Sequence, residues 1–382
     1  MTIALLASLL LAAAPAGDVV KIGHVTSLTA GSIDVGVAMS NAAKLAAEEV
    51  NAAGGILGRK LVVVDGDDVS STEKGVQAAT RLLDEERVAA LIGPLNTGVG
   101  KAVVRLTNAR KVPHVVTVNT ACEVNELFKE FPRNFVFRLA ASDALQVQMV
   151  VTEAFAARGK KKLALLHDET AYGTENRARF EALLAQRGTA PAYVGMFKIG
   201  QTEMAPLVEA ARAAGADVVV LWGRGGEGAA VVRAMEKLAW KVDVLGSWQM
   251  ANPAFLRAAG PWGDGTVMPQ TFVEAAAADA VQRRFVDAYK LRFQKANVYA
   301  ASAAAQTYDA VHLLALAMKQ AGSTDGPRVQ AALEDLKTSY EGVTGAYDRP
   351  WMPTDHEGIT PAQVTWARAK GGAVVADDRA TN

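Results

Sequence analysis

The chain has 382 residues, of which 50% are hydrophobic and 21% charged, a composition typical of soluble globular proteins. This length is too great for one small core and predicts two domains. Lysine plus arginine and aspartate plus glutamate number 40 each, so the charge balance gives no reason to expect nucleic acid or an anionic membrane as a partner.

The amino terminus has the pattern of a secretory signal. Residues 3–14 are continuously apolar, and Ala14-Pro15-Ala16 supplies small residues at the positions that a signal peptidase reads. Such a segment is too short to span a bilayer as a permanent helix. We predict that residues 1–16 are removed and that the mature protein is periplasmic, with no cysteine for a lipid anchor. An amino-terminal core helix is the alternative.

After the signal, β-branched runs alternate with alanine-rich helical stretches. The first set predicts strands at 19–25, 60–65, 88–92 and 112–118, with helices at 35–53, 72–86 and 98–110. The pattern then restarts, with strands at 162–166, 192–197, 217–222 and 242–246 and helices near 172–187, 203–214 and 228–239. This alternation requires parallel sheets with helices on both faces.

We therefore predict an α/β fold with two doubly wound parallel-sheet domains. Three long helices follow the second set, near 279–295, 300–321 and 326–338, and the tail returns to short strands over 342–370. The predicted first domain comprises residues 17–139 plus about 268–342. The predicted second domain comprises residues 140–267 plus about 343–382.

Three loops of the first domain are rich in hydroxyl groups and small side chains: 27–32, 93–98 and 117–121. Open parallel sheets bind ligands at the carboxyl ends of their strands, where these loops are predicted to lie. A helix amino terminus there has free N–H groups that suit a carboxylate. The candidate ligand-binding residues are Ser27, Asn96, Thr97, Asn119 and Thr120. The alternative role for Asn96 or Thr97 is to cap the following helix.

Residues 51–61 read Asn-Ala-Ala-Gly-Gly-Ile-Leu-Gly-Arg-Lys-Leu, which predicts a helix end, a glycine cap and the start of a strand. This segment resembles the type I periplasmic binding proteins that serve amino-acid and amide ABC transporters. The segment 166–173, Leu-His-Asp-Glu-Thr-Ala-Tyr-Gly, is similar to a second motif of that family. The resemblance covers essentially the whole mature chain. It implies three chain crossings between the domains, which form a hinge that permits closure.

The resemblance also implies roles for particular residues. The loop 93–97 resembles the family loop whose hydroxyl residue and backbone hold a ligand carboxylate, and 119–121 resembles the next loop, which contacts the head group. Tyr172 matches a tyrosine that lies against the ligand. Packing of the Tyr172 ring at the start of its helix is the alternative.

The second domain departs from the family pattern at one position. Amino-acid binders place an acidic residue there to hold the ligand ammonium, whereas this chain has Trp248, and Arg224 lies in the preceding loop. An arginine pairs with carboxylate, not with ammonium. Arg224 and Trp248 together predict that the ligand is a carboxylic acid without an α-amino group. Two alternatives remain: Glu227 could reach an ammonium, or it could pair with Arg224.

Residues 223–228 match the G-x-G-x-x-G dinucleotide fingerprint, directly after a predicted strand and before a helix, and Asp243 lies 20 residues after the first glycine. A ribose-binding acid belongs at the end of the next strand, whereas Asp243 is predicted near its start. An NAD-dependent dehydrogenase is therefore the remote alternative.

Cys122 is the single cysteine, and the five histidines show no metal-ligand spacing. We predict no metal, no cofactor and no enzymatic activity. The sequence indicates a monomeric, extracytoplasmic solute-binding protein of an ABC importer. It would capture a small amino acid or related carboxylate or amide by hinge closure and deliver it to an inner-membrane permease. A ligand-sensing domain for a signalling partner is the alternative.

Overall fold

The computed structural model describes residues 19–377, so the predicted signal at 1–16 lies outside the described residues. Within 19–377, no helix is both long and apolar enough to cross a membrane. The chain forms two units, and each has a central sheet covered by helices.

The first unit contains a five-stranded sheet in which every neighbouring pair is parallel. The strand order is β2-β1-β3-β4-β5. The strands are β1 (Val20–Thr26), β2 (Leu61–Asp67), β3 (Ala90–Ile92), β4 (His114–Val116) and β5 (Val136–Arg138). This agrees with the predicted α/β class.

The second unit contains a seven-stranded sheet, in the order β14-β13-β10-β9-β8-β6-β7. Its strands are β6 (Leu163–Asp168), β7 (Tyr193–Phe197), β8 (Val218–Trp222), β9 (Asp243–Gly246), β10 (Val267–Gln270), β13 (Thr365–Lys370) and β14 (Ala373–Ala376). Five strands are parallel, and β13 and β14 add an antiparallel edge. A separate hairpin pairs β11 (Tyr340–Glu341) with β12 (Ala346–Tyr347).

Twelve α-helices lie within 19–377. They are α1 (Ile33–Ala52), α2 (Thr72–Asp84), α3 (Thr97–Ala109), α4 (Glu123–Glu126), α5 (Asp143–Thr152), α6 (Ala171–Gln186), α7 (Ala205–Ala213), α8 (Gly225–Lys237), α9 (Pro253–Ala258), α10 (Ala280–Phe293), α11 (Ala301–Ala321) and α12 (Gly326–Glu334). The predicted glycine cap is confirmed after α1, because Gly54 and Gly55 have φ of +93° and +71°.

The carboxyl-terminal third is divided between the units. The helices α10, α11 and α12 pack into the core around α1 in the first unit. Trp351 and Val343 belong to the same core, and the Arg138 N–H of β5 donates to the His356 carbonyl at 2.9 Å. The chain returns to the second sheet at β13.

This packing differs from the predicted domain boundaries. Residues 267–270 form β10 in the second sheet, and the segment around Val343 and Trp351 packs on the first unit. We propose that the second unit begins again near residue 365. Short strands and hairpins pack on whichever sheet or core lies nearby, which local sequence does not reveal. Three crossings, near residues 139–142, 271–279 and 360–364, connect the units.

Candidate functional site

A cavity of about 330 Å³ lies between the two units, at the carboxyl ends of both sheets. Its size is within the usual range for small-molecule sites. The first unit contributes Ser70, Thr72, Leu95, Asn96, Thr97, Gly98, Val99, Val118 and Thr120. The second unit contributes Asp168, Thr170, Ala171, Tyr172, Arg224, Trp248 and Gln249.

The structure brings six of the eight predicted site residues together around this cavity. They are Asn96, Thr97, Thr120, Tyr172, Arg224 and Trp248. They come from loops that follow β3, β4, β6, β8 and β9, because the carboxyl ends of parallel strands lie on one edge of each sheet.

Ser27 lies behind the cavity wall and is fully buried. Its hydroxyl donates to the Asp68 carboxylate at 2.6 Å and accepts from the Asn96 amide at 3.2 Å. Burial raises the pKa of Asp68, and the Ser27 hydrogen bond opposes this rise. Ser27 therefore holds the loops after β2 and β3 in place instead of lining the cavity.

Asn119 also lies behind the wall. Its amide nitrogen donates to the Asn96 carbonyl at 2.7 Å, and its oxygen accepts the Ala121 N–H at 3.0 Å. Through these bonds the Asn119 side chain stabilises the loop at the start of α3. The neighbouring Thr120 is the residue of this loop that reaches the cavity.

Three helices begin at the cavity. The first-turn residues of α3 and α6 line it, and α8 contributes Arg224, the residue just before its first turn. Within the described chain, the N–H groups of Thr97, Gly98 and Val99 have no hydrogen-bond acceptor; the first such bond in α3 is from Gly100 to Asn96. Free N–H groups and the helix dipole both favour an anion at these ends.

Arg224 supplies a full positive charge. Its guanidinium makes no hydrogen bond or ion pair with any residue of 19–377. It extends across the cavity towards the first unit, where its Nη1 lies 3.6 Å from the point that a Cβ on Gly31 would occupy. Gly31 has a φ of +68°, and a side chain there would collide with Ser70, so this loop requires glycine.

Two aromatic rings belong to the apolar part of the wall. Tyr172 is 9% exposed and Trp248 is 8% exposed. The Tyr172 ring lies 6.0 Å from the Trp222 ring, which is buried beneath it. Burial, together with the charge of Asp143, raises the pKa of Tyr172 well above its usual value, so its hydroxyl is neutral at physiological pH. Both rings can contact the body of a small ligand.

Two acidic residues considered in the sequence analysis, Glu227 and Asp243, lie away from the cavity. Glu227 accepts the Gly200 N–H at 2.7 Å and does not line the cavity, so it neither pairs with Arg224 nor faces a ligand. Asp243 begins β9, at the edge of the sheet opposite the cavity, and pairs with Lys160 at 2.9 Å. The fingerprint at 223–228 therefore lacks its ribose-binding acid.

Sequence reasoning missed five polar residues of the lining: Ser70, Thr72, Asp168, Thr170 and Gln249. Ser70 and Thr72 follow β2, an edge strand of the first sheet whose carboxyl-terminal loop was not considered. The rule that placed the other loops would have indicated this one. Within residues 19–377, no group of three or more histidine, cysteine, aspartate or glutamate side chains could hold a metal ion.

Three ion pairs connect the two units outside the cavity lining. Lys101 of α3 pairs with Glu175 of α6, and Glu123 of α4 pairs with Arg179 of α6. Asp34 of α1 pairs with Arg257 of α9. These three pairs join helices of the first unit to helices of the second.

Comparisons with known proteins agree with this architecture. A family model described as "Periplasmic binding protein" matches residues 19–373. The chain is 27% identical over 319 residues to "Leu/Ile/Val-binding protein homolog 3" of Brucella melitensis, and the match covers 83% of this chain and 84% of that protein.

Solved structures are similar as well. The periplasmic binding protein type 1 of Bordetella pertussis has a TM-score of 0.83 and 26% identity, over 94% of this chain and all of that one. A solute-binding protein of an ABC transporter from Rhodopseudomonas palustris, in complex with 3,4-dihydroxybenzoic acid, has a TM-score of 0.78 and 21% identity, over 96% and 99% of the chains. At this identity the second likeness concerns the fold alone.

Proposed function

Since the chain belongs to the type I periplasmic binding protein family, branched-chain amino acid branch, we propose that it captures a small carboxylic acid in its interdomain cavity for an ABC importer. The acid lacks an α-amino group. The family supports a periplasmic location and delivery of the ligand to an inner-membrane permease.

The unpaired guanidinium of Arg224 is the observation that carries this proposal. It lines the cavity beside the amino termini of α3 and α6, and no acidic side chain within 19–377 neutralises it through an ion pair. A carboxylate would accept hydrogen bonds from the guanidinium and from the first-turn N–H groups of α3. Tyr172 and Trp248 would enclose the apolar body of the acid.

The same geometry disfavours an α-ammonium group. The family position for the ammonium-binding acid holds Trp248, and Gln249 beside it is uncharged. Glu227 is occupied by the Gly200 backbone. An ammonium would lie close to the positive ends of α3 and α6 and to Arg224, which repel it.

Capture requires that the ligand contact both units. Arg224 and Tyr172 belong to the second unit, whereas Thr97 and Thr120 belong to the first, so one ligand can bridge them. A ligand shifts the open–closed equilibrium only by its differential affinity for the closed form, and about 5.5 kcal/mol moves that equilibrium from 1:99 to 99:1.

A thermal-shift screen of the mature protein, residues 17–382, tests the proposal. The panel contains leucine and phenylalanine, their deaminated acids 4-methylpentanoate and 3-phenylpropanoate, the matching amides, urea and NADH. A ligand at ~100 times its Kd adds about 2.7 kcal/mol to the free energy of unfolding. Stabilisation by the acids but not by the amides or amino acids supports the proposal. Stabilisation by the amino acids alone would refute the claim that the cavity has no site for an α-ammonium group. Stabilisation by NADH alone would favour the dehydrogenase alternative.

A further inference from the structure

Asp168 has one carboxylate oxygen without a partner inside the candidate site. The residue ends β6, lines the cavity and is 1% exposed. Its Oδ1 accepts the Thr170 N–H at 2.9 Å, the Thr170 hydroxyl at 2.5 Å and the Gly173 N–H at 3.2 Å. Its Oδ2 is buried and has no hydrogen bond to any residue that the structure describes.

A structural role accounts for the Oδ1 atom of Asp168 but not for its Oδ2 atom. The three bonds to Oδ1 hold the turn that leads into α6, so Oδ1 performs the capping. A buried acceptor without a donor is costly, by roughly 1–3 kcal/mol or more for a charged group. Burial raises the pKa of Asp168, and the Thr170 hydrogen bonds and the Arg224 charge oppose that rise. A donor supplied by the ligand would satisfy Oδ2.

Arg224 and Asp168 lie close together without neutralising each other. Their strands β8 and β6 are neighbours in the sheet, and a Cβ on Gly223 would lie 3.2 Å from the Asp168 Cβ. The guanidinium is near enough to lower the pKa of Asp168, yet the two side chains form no ion pair. Arg224 thus brings five unused donors to the cavity, and Asp168, a residue of the same lining, has one unused acceptor oxygen. A ligand with a carboxylate and a nearby hydrogen-bond donor matches both.

The donor that fits is a neutral hydroxyl. Asp168 offers one oxygen, whereas an ammonium has three N–H groups to satisfy. The surroundings of Oδ2 include Arg224 and the positive end of α6, which repel a cation. A hydroxyl donates once and adds no charge.

We propose that Asp168 binds a ligand hydroxyl through Oδ2 and so selects hydroxy acids over the matching plain acids and amino acids. This proposal rests on the proposed function, because it requires that Arg224 hold the carboxylate of the same molecule. Asp168 is then a specificity-determining residue of the cleft, beyond its part in the turn before α6.

Calorimetry with matched ligands tests this on the unmodified mature protein. The aliphatic set is 4-methylpentanoate, 2-hydroxy-4-methylpentanoate and leucine, and the aromatic set is 3-phenylpropanoate, 2-hydroxy-3-phenylpropanoate and phenylalanine. In at least one set, the hydroxy acid should bind roughly 10- to 100-fold more tightly than the plain acid, as expected for a hydrogen bond to a charged group. Equal affinities for plain and hydroxy acid overturn this inference and leave the proposed function intact. Tightest binding of the amino acid, or no binding by any of the six, overturns both.

Two variants locate the effect. Asp168→Asn keeps an acceptor for the Thr170 and Gly173 donors but replaces Oδ2 by a donor, so the preference for the hydroxy acid should fall below about threefold while plain-acid affinity changes little. Glu169→Gln is the matched control, because Glu169 accepts the Ile199 N–H at 3.1 Å outside the cavity. An equal loss of affinity for both acids in Asp168→Asn would show a purely structural role and overturn the inference. The ligand series on the wild type decides the question even if this variant does not fold.

Discussion

Replacing Arg224 by glutamine separates recognition of a carboxylate from general packing. The Arg224 side chain makes no hydrogen bond or ion pair within 19–377, and it does not cap α8. The substitution therefore breaks no side-chain bond to any residue that the structure describes. We expect the free energy of unfolding of the ligand-free protein to change by no more than about 0.5 kcal/mol.

The loss should appear in binding. A hydrogen bond to a charged group contributes about 1.5–3 kcal/mol, and the lower half of this range applies because Arg224 is only partly buried. The dissociation constant for 4-methylpentanoate should rise roughly 10- to 45-fold. The dissociation constant for the neutral 4-methylpentanamide should change by less than about threefold, because the amide has no negative charge for the guanidinium to balance.

Isothermal titration calorimetry of both ligands gives the required comparison. Arg233→Gln is the matched control, because Arg233 lies on α8, the helix that Arg224 precedes, pairs with Glu236 and is outside the cavity. An equal loss for the acid and the amide would mean that Arg224 supports the shape of the cavity only. An unchanged affinity for the acid would remove Arg224 from the site, and with it the main argument for a carboxylate.

Three further results are expected. Tyr172→Ala should weaken ligand binding roughly tenfold or more in the same titration, through lost ring contact, and an unchanged affinity would remove Tyr172 from the site. Glu175→Gln breaks the ion pair with Lys101 and should weaken ligand binding by less than about fivefold, with a smaller effect at high salt. Glu181→Gln is the control: it breaks an ion pair within α6 and should leave ligand binding unchanged. Burial raises the pKa of Asp143 from 3.8 to about 6, so its protonated form stabilises the fold below about pH 4 and this contribution is lost as pH rises through 6. In urea unfolding, Asp143→Asn should gain on the order of 3 kcal/mol relative to wild type between pH 4 and pH 8, and a constant difference would contradict the burial argument.

The sequence predicted the secondary structure closely where the pattern was local. The strand expected at 60–65 is Leu61–Asp67, and the helix expected at 72–86 is Thr72–Asp84. A buried parallel strand and an alanine-rich helix each depend on neighbouring residues, so their period is visible in the sequence. The position of the carboxyl-terminal tail was harder to predict from the sequence, because β13 pairs with β10, a strand almost a hundred residues earlier in the chain.

The position of the candidate site was also predictable, whereas its individual contacts were not. Loops at the carboxyl ends of strands must lie together once the sheets are parallel, and the cavity is there. Which side chain of a loop faces the cavity depends on partners elsewhere. Ser27 is held away from it by Asp68, 41 residues on, and Asn119 by the Asn96 backbone.

By itself the sequence determined the class of fold, the family and the edge of each sheet where a ligand would bind, because periodicity and short motifs are local properties of the chain. The tertiary structure alone decided that Arg224 has no partner among residues 19–377, that Glu227 is occupied by Gly200, and that Asp168 keeps one buried oxygen unused by these residues. These three facts depend on which polar groups meet when the units pack. A charged side chain is available to a ligand only if no such partner reaches it first.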